Sequence, residues 1–196
     1  ARQQSIDDGA HAGEVASGMT TAFIKSELSR WLTEAGVGVK AKDVRRAMEI
    51  CVDNANRSVF NAANANAHYA GMGTTLVVGV FRDGKLVLGH IGDSRCYRLR
   101  GGVLTQITKD HSLLQEQIDA GLITLEQAAT STIKNLVTRA LGVEDTVLLE
   151  VNDHPVEVGD IYLMCSDGLS DMVDDATIVK IVSPPGALDQ KAEQLV

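Results

Sequence analysis

The chain has 196 residues, 44% of them hydrophobic and 22% charged. That is enough for one domain with a buried core, and it excludes disordered and fibrous classes. A formal net charge of −8 argues against generic nucleic-acid binding, which needs clustered Lys and Arg; a phosphorylated substrate stays open because bound metal reverses the local field.

Two helices come first. Over residues 13–34, Val15, Met19, Ala22 and Phe23 recur at helical spacing, while Glu14, Lys25 and Glu27 suit water. Gly36 and Gly38 break the pattern. A second stripe through Val44, Ala47, Met48, Cys51, Val52, Ala55, Val59, Ala62 and Ala63 predicts a long core-packed helix. Asp43 stands at its N-cap or in its first turn. The texture changes at Gly71. Residues 74–81 are β-rich, Asp83-Gly84 is a hairpin turn, and residues 86–91 form the return strand. A third strand covers 96–99, and Gly101-Gly102 leads into a fourth over 103–108, making an antiparallel meander.

Residues 112–120 predict a short helix, and Thr124 with Gln127 forms a capping box that starts another. Residues 130–140 are polar and weakly patterned, reading as an exposed segment beside the site. Strands resume over 147–151 and 160–165, with a turn near Pro155 and Gly159. A helix comes next over 175–182, Pro184-Pro185 stops it, and a last helix begins before the end. Antiparallel strands with grouped helices point to α+β layers rather than a doubly wound βαβ sheet.

Three cysteines (Cys51, Cys96, Cys165) lack Cys-x-x-Cys spacing and leave an odd thiol, so core thiols are expected, not a disulfide framework or zinc site. No apolar run is long enough to span a bilayer. The expectation is a cytoplasmic monomer without nucleic-acid or membrane partners.

Two segments share one construction. The apolar run Leu86-Val87-Leu88-Gly89-His90-Ile91 stops at Gly92-Asp93-Ser94-Arg95, and Ile161-Tyr162-Leu163-Met164-Cys165 stops at Ser166-Asp167-Gly168. Each sets an aspartate at a buried strand's end beside a glycine. A desolvated carboxylate needs a partner, and hard divalent cations such as Mg²⁺ and Mn²⁺ favour oxygen ligands. Aspartates capping turns or a helix N-terminus are the alternative reading of each motif alone.

Gly71-Met72-Gly73-Thr74-Thr75, Gly89-His90-Ile91-Gly92-Asp93-Ser94-Arg95, Leu104-Thr105-Gln106-Ile107-Thr108-Lys109-Asp110-His111 and Cys165-Ser166-Asp167-Gly168-Leu169 succeed one another along the chain. This ordered series resembles the bacterial metal-dependent serine/threonine protein phosphatases of the PPM (type 2C) family. His11-Ala12-Gly13-Glu14-Val15-Ala16-Ser17 resembles the segment opening their first helix, so the likeness covers roughly residues 10–182. It implies one catalytic domain over 1–196, a four-layer α+β sandwich of two antiparallel sheets flanked by helix pairs, and hydrolysis of phosphoserine and phosphothreonine by a metal-activated water. It also implies two or three Mn²⁺ or Mg²⁺ ions, phosphorylated proteins as partners and an opposing serine/threonine kinase. Asp167 is then a ligand of the binuclear centre, and Asp93 with Asp167 marks a third metal position.

The resemblance departs near the start. Arg2-Gln3-Gln4-Ser5-Ile6-Asp7 resembles the family's arginine and acidic pair, making Arg2 the catalytic, phosphate-binding arginine and Asp7 a ligand, with Ile6 in place of a glutamate. Some thirty residues should precede the motif of the bridging aspartate, yet Asp8-Gly9-Ala10-His11 comes at once. Asp8 and Gly9 are either a shortened form of that metal motif, or intervening strands are missing. The closing Gly-x-Asp-Asn motif is not found, so the chain reads as incomplete at or near both ends, and a non-catalytic PPM-like module is the alternative function. His11 sits where some members carry a histidine near the metals. Arg139, in the flap-like segment, is a substrate-contact candidate; Arg95 is expected to pair with an acidic neighbour, His90 to pack between strands, and His111 to orient the turn before a helix.

Overall fold

The computed structural model describes the backbone of residues 2–131 and 136–196, and side chains within these ranges from His11 onward except Ala129. In chain order the elements are α1 (Arg2–Ala35), α2 (Ala41–Ala65), β1 (Leu76–Arg82), β2 (Lys85–Ile91), β3 (Arg95–Arg100), β4 (Val103–Gln106), α3 (Leu113–Asp119), α4 (Leu125–Ala129), β5 (Glu150–Pro155), β6 (Ile161–Cys165), α5 (Asp167–Ser170), α6 (Asp175–Val182) and α7 (Leu188–Leu195). A 3₁₀ turn at Ala67–Tyr69 comes after α2. The fold is α+β, with two antiparallel sheets. Contacts gather the chain into two compact units, residues 1–92 with 137–155 and residues 93–136 with 156–196.

In the first unit the sheet order is β1-β2-β5. Central β2 is buried at every position after Lys85, as its unbroken apolar run requires when both faces are covered. The inward stripe of α2 supplies Val44, Met48, Val52 and Val59, each nearly inaccessible to solvent. Asp43 is a first-turn residue, not the N-cap: its Oδ2 accepts the Lys40 backbone N–H at 3.0 Å. The β1–β2 turn contributes too, since Asp83 accepts the Ala41 N–H at 3.1 Å. Asp83 and Gly84 have φ of 51° and 68°, the left-handed pair that a primed two-residue hairpin turn demands.

In the second unit the order is β4-β3-β6. Leu99 packs with Ile178, Val182 and Leu195, supported by Leu104, Ile161 and Leu163. α6 starts where Asp174 accepts the Thr177 N–H at 2.7 Å, a side-chain N-cap.

Four expectations are corrected. The four strands over 74–108 do not form one meander: β1–β2 and β3–β4 are hairpins of different sheets. The break falls at Gly92, where φ is 96° and a Cβ would lie 2.5 Å from Thr75 Cγ2, so only glycine fits. The strand expected over 147–151 lies at Glu150–Pro155 instead, while the expected turn follows at Gly159, where φ is 94° and the Asp160 N–H donates to the Glu157 carbonyl at 3.1 Å; Val147 and Leu149 pack against the core without strand pairing. α1 begins at Arg2, not near residue 13. Strand β4 stops at Gln106 because Thr108 turns inward, its hydroxyl accepting the Cys96 N–H at 3.0 Å. Of the segment 130–140, residues 132–135 lie outside the described residues.

Candidate metal centre

The site grows out of β3 and β6. These strands pair antiparallel with Arg95 opposite Cys165. Position 93 precedes β3 by two residues and position 167 follows β6 by two, so both lie beyond the same end of this strand pair. Asp93 lies in the bend before β3, half-buried, while Asp167 opens α5 directly after β6 and is exposed. The expectation that both aspartates end fully buried strands is thus corrected for Asp167: β6 is a partly exposed edge strand whose Met164 reaches solvent.

Electrostatics tie the two together. Burial pushes the Asp93 carboxyl above the usual carboxylate range; a hydrogen bond from its own amide opposes this, the charges of Asp167 and Asp110 raise it further, and Arg95 draws it back. The nearby cation is already engaged. Arg95 donates from Nε and Nη2 to Asp110 at 3.1 and 2.7 Å, and from Nη1 to the Tyr97 hydroxyl at 3.1 Å. This forked pairing uses the planar donor geometry of guanidinium. Asp110 also accepts from Gln106 Nε2 at 2.9 Å, so its oxygens are satisfied. Arg95 therefore pairs with an acidic neighbour, as expected, and among the described residues neither Asp93 nor Asp167 has an ion pair. Carboxylates with raised mutual repulsion and only oxygen donors fit a hard divalent cation.

The thiols close by do not compete for this role. Burial raises Cys96 to about 12 and also raises Cys165, and an apolar, protonated thiol is a poor ligand. All three cysteines are free.

The other expected residues lie elsewhere. Arg2, Asp7, Asp8 and Gly9 fall on the helical backbone of α1, and their side chains lie outside the described residues. His11 is exposed on α1 with its ring centroid 6.4 Å from that of Tyr69. His90 is buried on β2 opposite Glu150 of β5, and His111 is buried just ahead of Ser112, whose hydroxyl caps α3 by accepting the Gln115 N–H at 3.2 Å. Arg139 is exposed in the first unit. Sequence reasoning missed Asp110 as the partner of Arg95, because a contact spanning 15 residues leaves no periodic signal.

The Protein phosphatase 2C family profile matches residues 6–188, so the match runs through both units. The chain belongs to this family of metal-dependent phosphatases. Among its relatives, the serine/threonine phosphatase stp of Listeria innocua is 33% identical over 188 residues, covering 96% of this chain and 73% of that protein. The serine/threonine protein phosphatase PstP of Mycobacterium tuberculosis is 40% identical over 181 residues, 90% of this chain and 33% of that protein. The crystal structure of the latter's phosphatase, PstP/Ppp, superposes with a TM-score of 0.80 at 36% identity, covering 94% of this chain and 74% of that one. A structure of the PstP catalytic domain in complex with two manganese ions gives a TM-score of 0.75 at 36% identity, covering 94% and 73%.

Proposed function

We propose that this chain hydrolyses phosphoserine and phosphothreonine esters in proteins, with Asp93 and Asp167 holding Mn²⁺ or Mg²⁺. The observation that carries this reading is a pair of carboxylates beyond one end of the β3–β6 pair, the charge of Asp167 raising Asp93, while Arg95, the adjacent cation, is committed to Asp110. Divalent metal at such a site supplies a water of lowered pKa and neutralises charge on the phosphoryl group. The chain's own part is to fix both carboxylates on a paired-strand frame, so that binding requires little reorganisation. The Arg95–Asp110 fork braces the bend that carries Asp93 from two residues away.

The family resemblance supplies the remaining roles in this proposal. Arg2 and Arg139 contact the phosphorylated substrate, Arg2 and His11 serve the catalytic step, and Asp7, Asp8 and Gly9 contribute to metal binding. The match over 6–188 supports reading residues 1–196 as one catalytic domain. In this reading the protein works in the cytoplasm as a monomer, opposite a serine/threonine kinase; no described helix is long and apolar enough to cross a membrane.

The test is phosphate release from a phosphothreonine peptide with and without Mn²⁺. Chelation is expected to lower the rate by at least about 100-fold, beyond the loss typical of outer-shell changes. Equal rates in both conditions contradict the proposal. A second reading, a non-catalytic module that binds phosphoproteins, is favoured by Ile6 at the family's glutamate position and by the helical backbone over Asp7–Gly9. Metal-dependent peptide binding without turnover would select it.

A further inference from the structure

In the run Gly92-Asp93-Ser94-Arg95 a cation stands two residues from an acid. A guanidinium that close is the partner a half-buried carboxylate would ordinarily take. Asp93 does not take it. Among the described residues the ion pair of Arg95 is with Asp110, at 2.7 Å. The two are nevertheless close enough to interact, since the charge of Arg95 draws the Asp93 carboxyl down against its burial. All of these groups belong to the second unit.

Three edges of the guanidinium are held away from Asp93. Nε donates to both oxygens of Asp110 at 3.1 Å, Nη2 donates to Oδ2 at 2.7 Å, and Nη1 donates to the hydroxyl of buried Tyr97 at 3.1 Å. The acceptor is fixed independently of Arg95. Gln106 Nε2 donates to Asp110 Oδ1 and to the Thr108 carbonyl, each at 2.9 Å. The Thr108 hydroxyl accepts the Cys96 N–H at 3.0 Å, which ties this loop back to β3. Side-chain exposures of 28% for Arg95 and 12% for Asp110 leave the pair partly desolvated, so it holds more firmly than a surface ion pair. Released from Asp110, Arg95 would have Asp93 as a nearby carboxylate. A guanidinium there would stabilise the ionised acid and compete with a divalent cation for its oxygens.

We propose that Asp110 is a positioning residue: it withholds Arg95 from Asp93 and so leaves the Asp93 carboxylate open to a divalent cation. This rests on the metal reading of Asp93 and adds how the chain keeps its own cation off its ligand. Asp110 acts through Arg95 and is not itself a ligand.

The experiment is calorimetric titration of Mn²⁺ into the wild-type chain, Asp110→Asn, Arg95→Met and the double variant. Asp110→Asn keeps size and frees Arg95, and is expected to weaken Mn²⁺ binding about tenfold. Arg95→Met removes the competing cation and is expected to bind at least as tightly as the wild type. In the Arg95→Met background Asp110→Asn then costs nothing further, because the two residues act through one contact. If the pair were only a brace, Arg95→Met would weaken binding as much as Asp110→Asn does. If Asp110 acted only through its charge, its replacement would cost the same fold in both backgrounds. Either result, or unchanged affinity in Asp110→Asn, overturns the proposal. Should Asp110→Asn fail to fold, Tyr97→Phe releases Nη1 of Arg95 with no change of charge. A loss of about threefold, smaller than that of a full outer-shell change, supports the proposal there and none overturns it. A wild-type chain that binds no Mn²⁺ overturns the metal reading alone, and thermal unfolding in chelator then still decides. Asp93→Asn is expected to raise the unfolding temperature in the wild-type background and to lower it by about 2 °C in the Asp110→Asn background, where it removes the new partner of Arg95. A shift of the same sign in both backgrounds refutes the withholding.

Discussion

Asn56 and Asp93 are both polar side chains set into apolar surroundings, and the two units treat them in opposite ways. In the first unit Asn56 is fully buried and both of its hydrogen-bonding ends are paired with backbone at 2.7 and 3.0 Å. In the second, Asp93 is only half-buried, yet its carboxyl is raised by burial and by neighbouring carboxylates while the adjacent arginine pairs with Asp110. A neutral amide with satisfied partners stiffens a fold; a carboxylate held against like charges marks a place where a ligand is needed. The first unit satisfies its buried amide from its own backbone, and the second leaves a carboxylate that a bound cation would relieve.

That contrast breaks if the backbone paired with Asn56, at the Gly142 N–H and the Glu144 carbonyl, proves soft. Gly142→Ala sets a Cβ 2.3 Å from Val59 Cγ1 at a φ of 91°, and overpacking with left-handed strain is expected to cost about 3 kcal/mol. Urea unfolding monitored by circular dichroism measures this; a loss under about 0.5 kcal/mol would mean that residues 141–144 re-seat freely.

It sharpens if the carboxylate can be relieved without metal. The Asp93 carboxyl titrates higher in the fold than the unfolded value of about 3.9. Its contribution to stability is therefore fully present below about pH 3.9 and is lost as pH rises through the higher folded value. Asp93→Asn removes that titration. At pH 7 in chelator it should stabilise the metal-free protein, by about 0.5 kcal/mol once solvent screening is allowed for. Thermal unfolding of both proteins between about pH 3 and 8, a window that brackets the unfolded value and neutrality, reads it out; a variant less stable than wild type at neutral pH places the repulsion elsewhere.

Much of the architecture was legible where local chemistry dictates it. Asp83-Gly84 and Gly101-Gly102 have the left-handed backbone that their identities suggest, Thr124 and Gln127 cap each other at 3.2 and 2.8 Å, and α6 spans Asp175–Val182 as read from the sequence. The misreadings have a common cause in tertiary pairing. β5 is the polar stretch Glu150–Pro155, made a strand by backbone pairing with β2, whereas apolar Val147 and Leu149 satisfy the core without a ladder. The split between β2 and β3 turns on a single glycine, Gly92, whose close approach to Thr75 has no signature in periodicity. At the site, Asp93 and Asp167 were visible as matched strand endings, while the bracing pair Arg95–Asp110 was visible only from one side. Asn56 did leave a trace, a lone amide in an apolar helical stripe, and the meaning of that trace depends on a contact 86 residues away.

A divalent cation shared by the carboxylates at the ends of β3 and β6 is the central claim. Calorimetric titration of Mn²⁺ into the wild-type chain and Asp167→Asn tests it most directly, because the substitution removes charge while keeping size. Binding to the wild type, weakened by at least about tenfold in the variant at unchanged unfolding temperature, is the predicted result. Equal affinity in the two proteins contradicts the site.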